Sequence, residues 1–324
     1  MREIFPRVLC SACIAFGIAA DAGAAEYPTR PVRLVVGFPP GGGVDTTARA
    51  VVPKLAERLG QHVVIDNRGG ATGNVAAELV AKAPPDGYTV SIGSIAPLAV
   101  NPSLYENATV DPLRDFAPIT RIGDSTNVLV VHPSVAATSV KELIALAQAK
   151  PGTLNAGSSG VAGAGHLALA LFNVLARTNI THVPYKGGGP AMIDLLAGNI
   201  HLIFATTASA AAHMKSGRIR ALAVTTAKRS ALMPELPTVA EAGVRGFEAN
   251  NWYGFVAPAK TPRNIIARLN RDMVAALSVP EVKEILFRNG VEVAPSTPEE
   301  LGAYMRSEHD RWAKVIRSAG IKSH

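Results

Sequence analysis

Apolar residues recur along this chain in two alternating rhythms. Short β-branched runs at Val32 to Gly37, Val63 to Asp66 and Tyr88 to Gly93 read as strands. Between the first two, Val44, Ala48, Val51, Val52, Leu55 and Leu59 return at the spacing of one helical face. Pro53 falls inside that stretch and predicts a kink. A further helix is expected near Asn74 to Lys82. A second set of strands is predicted at Asn127 to His132, Leu154 to Ala156, Thr181 to Val183 and His201 to Ala205, the last three each leading through small or polar residues into another helical pattern. Strand and helix in alternation predict an α/β fold with largely parallel strands.

Helix boundaries are marked by capping chemistry. Ser139-Val140-Lys141-Glu142 reads as a capping box opening a helix that stops before Pro151-Gly152. Towards the C-terminus, Thr261-Pro262 and Ser278-Val279-Pro280 look like helix starts, and Thr297-Pro298-Glu299-Glu300 is a capping box with Pro at the first helical position. Leu301, Tyr304, Met305, Trp312, Val315, Ile316 and Ala319 then form one apolar stripe, expected to be core.

The N-terminal pattern is different in kind. Arg2 and Arg7 precede a nearly uncharged stretch from Val8 to Ala20, and Ala22-Gly23-Ala24-Ala25 follows: the three regions of a cleavable export signal over residues 1–25. Cys10 and Cys13, the chain's two cysteines, lie inside it. Cys10 stands where a lipoprotein cleavage box needs a large aliphatic residue, so no lipid anchor is expected. Removing the signal leaves no thiol, which excludes cysteine catalysis, Cys-ligated zinc, iron–sulfur clusters and disulfides. The remaining 324 − 25 = 299 residues suit two domains at about 150 residues each. A hydrophobic fraction of 48% with 29 Gly and 23 Pro indicates ample core and many sharp turns, and excludes disorder, collagen and coiled coil. No later apolar run reaches the ~18 residues of a membrane span, so the exported chain is expected to be soluble.

Charge narrows the partners. Lys plus Arg less Asp plus Glu gives 32 − 25 = +7, and the signal takes away as many basic as acidic residues. The excess suits an anionic ligand. It is too evenly spread for nucleic acid, since the tightest groups, Lys228-Arg229 and Arg218 with Arg220, read as solvated surface.

Candidate chemistry concentrates in glycine and hydroxyl turns between strand and helix: Gly41-Gly42-Gly43, Ser158-Ser159-Gly160 and Gly187-Gly188-Gly189. In a parallel α/β fold such turns lie at the carboxyl ends of strands, where ligands bind. They also leave backbone N–H groups open at a helix N-terminus, a seat for carboxylate or phosphate. One such turn reads as glycine merely permitting the bend; three together read as a site. Nucleotide and enzyme signatures fail by comparison. No Gly-Lys-Ser/Thr loop occurs, and Gly163-Ala164-Gly165-His166-Leu167-Ala168 matches a dinucleotide fingerprint but is set off from its strand by Gly157 to Val161. No Gly-x-Ser-x-Gly elbow and no zinc-binding histidine spacing is found, and nothing selects Asp66, Asp86 or Asp124 as a catalytic pair. His166 is open to two readings, donor to a ligand or local helix cap. Lys186, the cation of the third turn, either faces the ligand or is solvated at the rim.

Six segments then resemble a known family in order along the chain: Leu34 to Asp45, Asp66 to Asn74, Pro85 to Thr89, Leu154 to Gly160, His182 to Gly188 and Leu236 to Gly243. They are similar to the substrate-binding receptors of tripartite tricarboxylate transporters, the Bug-type periplasmic solute-binding proteins. The resemblance runs from about Tyr27 to Gly320. It implies an α/β, two-domain periplasmic-binding-protein fold, class II-like, with the ligand cleft between the domains. Residues 26–115 plus 246–324 would form the first, discontinuous domain and 116–245 the inserted second. It implies a small organic carboxylate as ligand, no catalytic residue, no metal and no cofactor, a periplasmic location, a monomer, and transporter subunits or a sensor kinase as partner. The ligand-binding residues expected are Phe38, Pro40, Gly41, Gly42, Gly43, Asp45, Ser94, Ser158, Ser159, Gly160, His166, Tyr185, Lys186, Gly187, Ala205 and Thr206. Rival readings are a periplasmic lyase or isomerase acting on a carboxylate, and a ligand-dependent sensor partner. Phe204-Ala205-Thr206-Thr207 and the bare Ala164-Gly165 depart from the more polar family pattern, which implies a smaller or less polar far end of the ligand than citrate offers.

Overall fold

The computed structural model describes residues 27–105 and 108–321. The expected export signal lies outside them. The first elements alternate as the pattern predicts: β1 (Val32–Val36), α1 (Gly43–Leu59), β2 (Val63–Asn67), α2 (Asn74–Ala81) and β3 (Thr89–Ser94). The α1 stripe is buried at Val44, Ala48, Val51, Leu55 and Leu59, and the helix continues through Pro53, which stands on its exposed side. Gly60 closes it at φ 67°, a left-handed cap that glycine adopts without strain. A turn of π-helix at Ala96–Val100 and two short helices, α3 (Asn101–Leu104) and α4 (Pro112–Asp115), lead into the long strand β4 (Phe116–Ser125).

A second run follows: β5 (Asn127–Val131), α5 (Val140–Ala149), β6 (Asn155–Ser158), α6 (Ala164–Ala176), β7 (Thr181–Pro184), α7 (Gly188–Leu196), β8 (Leu202–Thr206), α8 (Thr207–Lys215) and β9 (Arg220–Val224). The chain then returns through β10 (Asn251–Pro258), α9 (Arg263–Leu277), α10 (Pro280–Arg288), β11 (Val291–Val293) and α11 (Pro298–Ser318). At the start of α5 the Ser139 hydroxyl accepts from Glu142 N, but the Glu142 carboxylate turns to the Thr138 amide and hydroxyl, so the predicted box is only half formed. At α11 it is complete.

The strands form two sheets, ordered β11-β4-β10-β3-β1-β2 and β7-β6-β8-β5-β9. Both are mixed, which corrects the largely parallel expectation. β10 is antiparallel to β3 and β4, and β5 is antiparallel to β8 and β9. The alternation of strand and helix detects parallel units only; β4 passes into β5 with no helix between, and β9 reaches β10 through an irregular segment. Strand β4 pairs in the six-stranded sheet along its whole length, whereas the resemblance places residues 116–245 in the inserted domain. On the return side Ala249 N still bonds Thr225 O, at the end of the five-stranded sheet.

Burial follows these layers. The residues of β5 are buried on both faces, as expected for a strand flanked on each side and covered by helices. Leu301, Met305, Trp312 and Ile316 of the α11 stripe are core, and their cluster also contains Phe172, Phe204 and Phe247 from the five-stranded half. Helix α11 thereby packs on the six-stranded sheet and also meets α6. Each fully buried large side chain of this kind contributes about 1.5–3 kcal/mol.

Candidate functional site

The turn from β1 into α1 is held from below by one carboxylate. Asp45, buried at the third position of the helix, accepts from Gly41 N at 2.9 Å and from Arg49 Nε at 2.9 Å, and its other oxygen accepts from Asn67 Nδ2 at 3.0 Å. Burial alone would push this carboxyl up, but the bonds from Arg49, Gly41 and Asn67 outweigh it and hold it below the usual carboxylate range. Asn67 also donates to Phe38 O, so the last residue of β2 fastens both ends of the turn. Asp45 therefore has its acceptors committed to the turn. With Thr46 N the first amide bonded within the helix, to Gly42 O, the N–H groups of Gly43, Val44 and Asp45 have no partner inside it.

The residue under Gly43 was not anticipated. A Cβ at Gly43 would come within 2.5 Å of the Tyr253 hydroxyl, so glycine is required for the buried phenol to lie against the helix start. Burial raises the phenol's pKa against the opposing influence of the neighbouring Ser125 and Asn251, which keeps it protonated. Ser94, expected as a ligand contact, is buried at the end of β3 in register with Tyr253.

The turn from β6 into α6 has its own support. The Ser158 hydroxyl donates to Gly160 O at 2.9 Å, accepts from Gly160 N at 3.1 Å and lies 2.6 Å from His182 Nε2. His182 stacks on His166 with ring centroids 3.7 Å apart and planes 5° from parallel. His166 Nδ1 accepts from Ala162 N at 3.1 Å, so its proton is on Nε2. The imidazole serves as a local cap and keeps one N–H donor to spare. Burial lowers the His166 pKa to about 4, and burial together with the His166 ring lowers that of His182 to about 3, so both are neutral at ordinary pH. Leu167 N is the first amide bonded in α6, to Gly163 O, leaving those of Ala164, Gly165 and His166 without an intrahelical partner. Ser159 is exposed beside them.

These two turns belong to different sheets, and one hydrogen bond joins their neighbourhoods. Thr72 Oγ1, in the loop after β2, donates to Val161 O, in the loop after β6, at 3.0 Å. The carboxyl ends of the parallel strands of both sheets thus face one another. Ala71, Thr72 and Ala162 flank that contact with φ of 44°, 51° and 61°, left-handed backbone that costs a residue with a Cβ about 1 kcal/mol or more.

The other expected residues are dispersed around these turns. Phe38 is half-buried against the six-stranded core, and Pro40 and Gly41 are exposed. Thr206 stands at the N-cap position of α8 but spends its hydroxyl on Ser209 Oγ, while Ala205 is buried among Ile203, Ala210 and Val224. Tyr185 donates to Asp194 Oδ2 at 2.6 Å, and burial followed by that carboxylate raises the phenol to about 12. Lys186 is exposed, and Gly187 caps α7 at φ 117°. Among the described residues no cluster of three His, Cys, Asp or Glu is placed to hold a metal ion, and no helix is long and apolar enough to cross a membrane. Asn67, Thr72, His182 and Tyr253 are the site residues that sequence reasoning missed. Asn67, Thr72 and His182 lie within recognised motifs, but their partners are 22 to 89 residues away and leave no local signal.

Two facing lobes with helix N-termini aimed between them define a periplasmic-binding-protein fold. The chain belongs to the tripartite tricarboxylate transporter family receptors, which it matches over residues 47–321. It is 38% identical over 307 residues to the protein BugT of Bordetella pertussis, covering 94% of each chain. Among solved structures it is similar to the Rhodopseudomonas palustris protein Rpa4515 with adipate, at 41% identity and TM-score 0.85, covering 92% of this chain and 99% of that one. MatC from the same organism, with bound malate, matches at 30% identity and TM-score 0.81 over 90% of this chain and 100% of that one.

Proposed function

We propose that this protein captures a small organic carboxylate between its two lobes and presents it to the membrane subunits of a tripartite transporter. The observation that carries the reading is the opposition, across the Thr72–Val161 hydrogen bond, of two helix starts with open amides. An N–H donor to a carboxylate is worth about 1.5–3 kcal/mol, so three or four contribute about 4.5–12 kcal/mol, a range that spans the roughly 8 kcal/mol of micromolar affinity without a dedicated cation. The +7 formal charge supplies long-range attraction. Adipate and malate in the two relatives' structures are small dicarboxylates. On this reading the protein is a receptor with no catalytic residue, exported to the periplasm by residues 1–25. One lobe comprises residues 27–125 with 250–321 and the other 126–249, the divisions falling where the strands change sheet. The ligand-binding set retains the turn residues 41–43 and 159–160 with His166, joined by the amides of 164 and 165.

Mass spectrometry of small molecules released from gently purified protein, followed by calorimetry with the compound found, tests the reading. A carboxylate recovered unchanged after incubation supports it. Conversion of the compound by stoichiometric protein would show an enzyme instead.

A further inference from the structure

The arrangement behind the β6–α6 turn assigns a role to a residue outside the amide seat. We propose that His182 is a positioning residue for the proposed carboxylate site, fixing through one ring both the Ser158 hydroxyl and the imidazole of His166.

A hydroxyl has one proton and two lone pairs. Ser158 gives its proton to Gly160 O and accepts from Gly160 N, so the short contact to His182 Nε2 must fill the second lone pair. His182 is thus the donor, in its Nε2–H tautomer. The proton and both lone pairs of the Ser158 hydroxyl are then taken up by Gly160 and His182. Ser158 shapes the loop and does not touch the ligand.

The opposite consequence holds for His166. Its Nδ1 is tied to Ala162 N, so its remaining donor is Nε2–H, on the ring edge away from that amide. A ring held at one atom can still swing. The His182 ring, parallel at 3.7 Å, removes that freedom by stacking. Strand β7 supplies the anchor, because His182 is in register with Ala156 and its neighbour Val183 with Gly157 on β6. One side chain from an edge strand therefore orients a hydroxyl at the end of β6 and an imidazole at the start of α6.

This inference rests on the carboxylate reading for its effect on affinity, but its structural content can be read separately. Adipate and malate are titrated calorimetrically into wild type, His182→Phe and His182→Gln, and the 15N imidazole spectrum of each protein is recorded. Phenylalanine keeps the stacking ring and loses the donor; glutamine keeps an N–H at the position of Nε2 and loses the ring. Phe is expected to weaken binding about tenfold with the His166 Nε2–H signature retained. Gln is expected to weaken binding as well, with the His166 signals broadened or averaged. Wild-type affinity in His182→Phe with unchanged His166 signals in His182→Gln would overturn the assignment. So would losses that merely track the fall in melting temperature. Should wild type bind neither probe, the choice of ligand fails, and the His166 signals of His182→Gln alone decide: averaging upholds the positioning role, and an unchanged spectrum overturns it.

Discussion

Gly43 shows how much one residue's identity can depend on a distant side chain. At the first position of a helix, alanine outranks glycine by about 1 kcal/mol in intrinsic propensity. Here its Cβ would lie 2.5 Å from the Tyr253 hydroxyl oxygen, inside any real contact, whereas the next ring atom is at 3.6 Å. Gly43→Ala is therefore expected to destabilise the fold by about 1–3 kcal/mol, the usual cost of overpacking. In the Tyr253→Phe background the same substitution should be neutral or mildly stabilising. A denaturant-unfolding cycle over the four proteins measures the coupling, and additive effects would show that the phenol does not press on the helix start. Glycine 43 was legible in the sequence as a turn residue. The reason for it was not, because Tyr253 is 210 positions away and sits on a strand that the apolar pattern did not reveal.

At the scale of elements, α6 and β7 share the stacked imidazole pair, and this makes their packing sensitive to acid. An ordinary histidine takes up a proton near 6.5, but burial holds His166 near 4 and His182 near 3. Between those values the unfolded chain binds protons that the folded chain refuses, so stability falls as pH drops from 6.5 towards 4, by up to about 1.4 kcal/mol per unit for each such group. The aspartates held low by their partners, Asp45 and Asp66 among them, add their losses only below about 3.8, and the depressed glutamates Glu78, Glu142 and Glu241 below about 4.5. Urea midpoints at pH 7, 5.5 and 4.5 should thus decline steadily, and His166→Gln should flatten the upper part of that decline. Elements carried by a strong local rhythm, such as β1, α1 and α11, were readable because burial of one face and a cap are written in adjacent residues. Strands β4, β9 and β10 were not, since Pro118, Arg121 and Asp124 interrupt the first and pairing with distant strands, rather than alternation, stabilises them. Glycine and serine alone mark the α1 and α6 starts as candidate anion seats; the bracing by Asn67 and His182 depends on sheet register, which the sequence pattern does not specify.

For the whole molecule, the lobes share apolar packing at α11 and α6, and a few hydrogen bonds cross between them. Thr126 N donates to Gly290 O and Arg311 to Glu248 O, Ser230 donates to Glu292 at 2.6 Å where the β9 side meets β11, and at the turns the Thr72 hydroxyl donates to Val161 O. A net hydrogen bond of about 0.5–1.5 kcal/mol shifts an open–closed equilibrium by roughly two- to twelvefold. Thr72→Val removes the hydroxyl at nearly constant volume. Its ligand-free radius of gyration by small-angle scattering should exceed that of wild type, and saturating carboxylate should bring the two together. Identical radii without ligand would assign the closing energy elsewhere.

The placing of the two tryptophans governs how this protein can be watched at work. Trp252 and Trp312 are the chain's only indoles, both almost wholly buried, and both donate to the same Glu308 carboxylate oxygen, at 3.2 and 3.1 Å. Neighbouring residues on a strand point to opposite faces, so Trp252 looks away from Tyr253 and from the helix start that Tyr253 supports. Their ultraviolet emission should be blue-shifted in the native state and move to the red when α11 leaves the sheet. A ligand seated at the turns of residues 41–43 and 159–165 touches neither ring. Flat intrinsic fluorescence during a titration would then be the optical silence of a site remote from its reporters, and an indole introduced at exposed Pro40 would be needed to make occupancy visible.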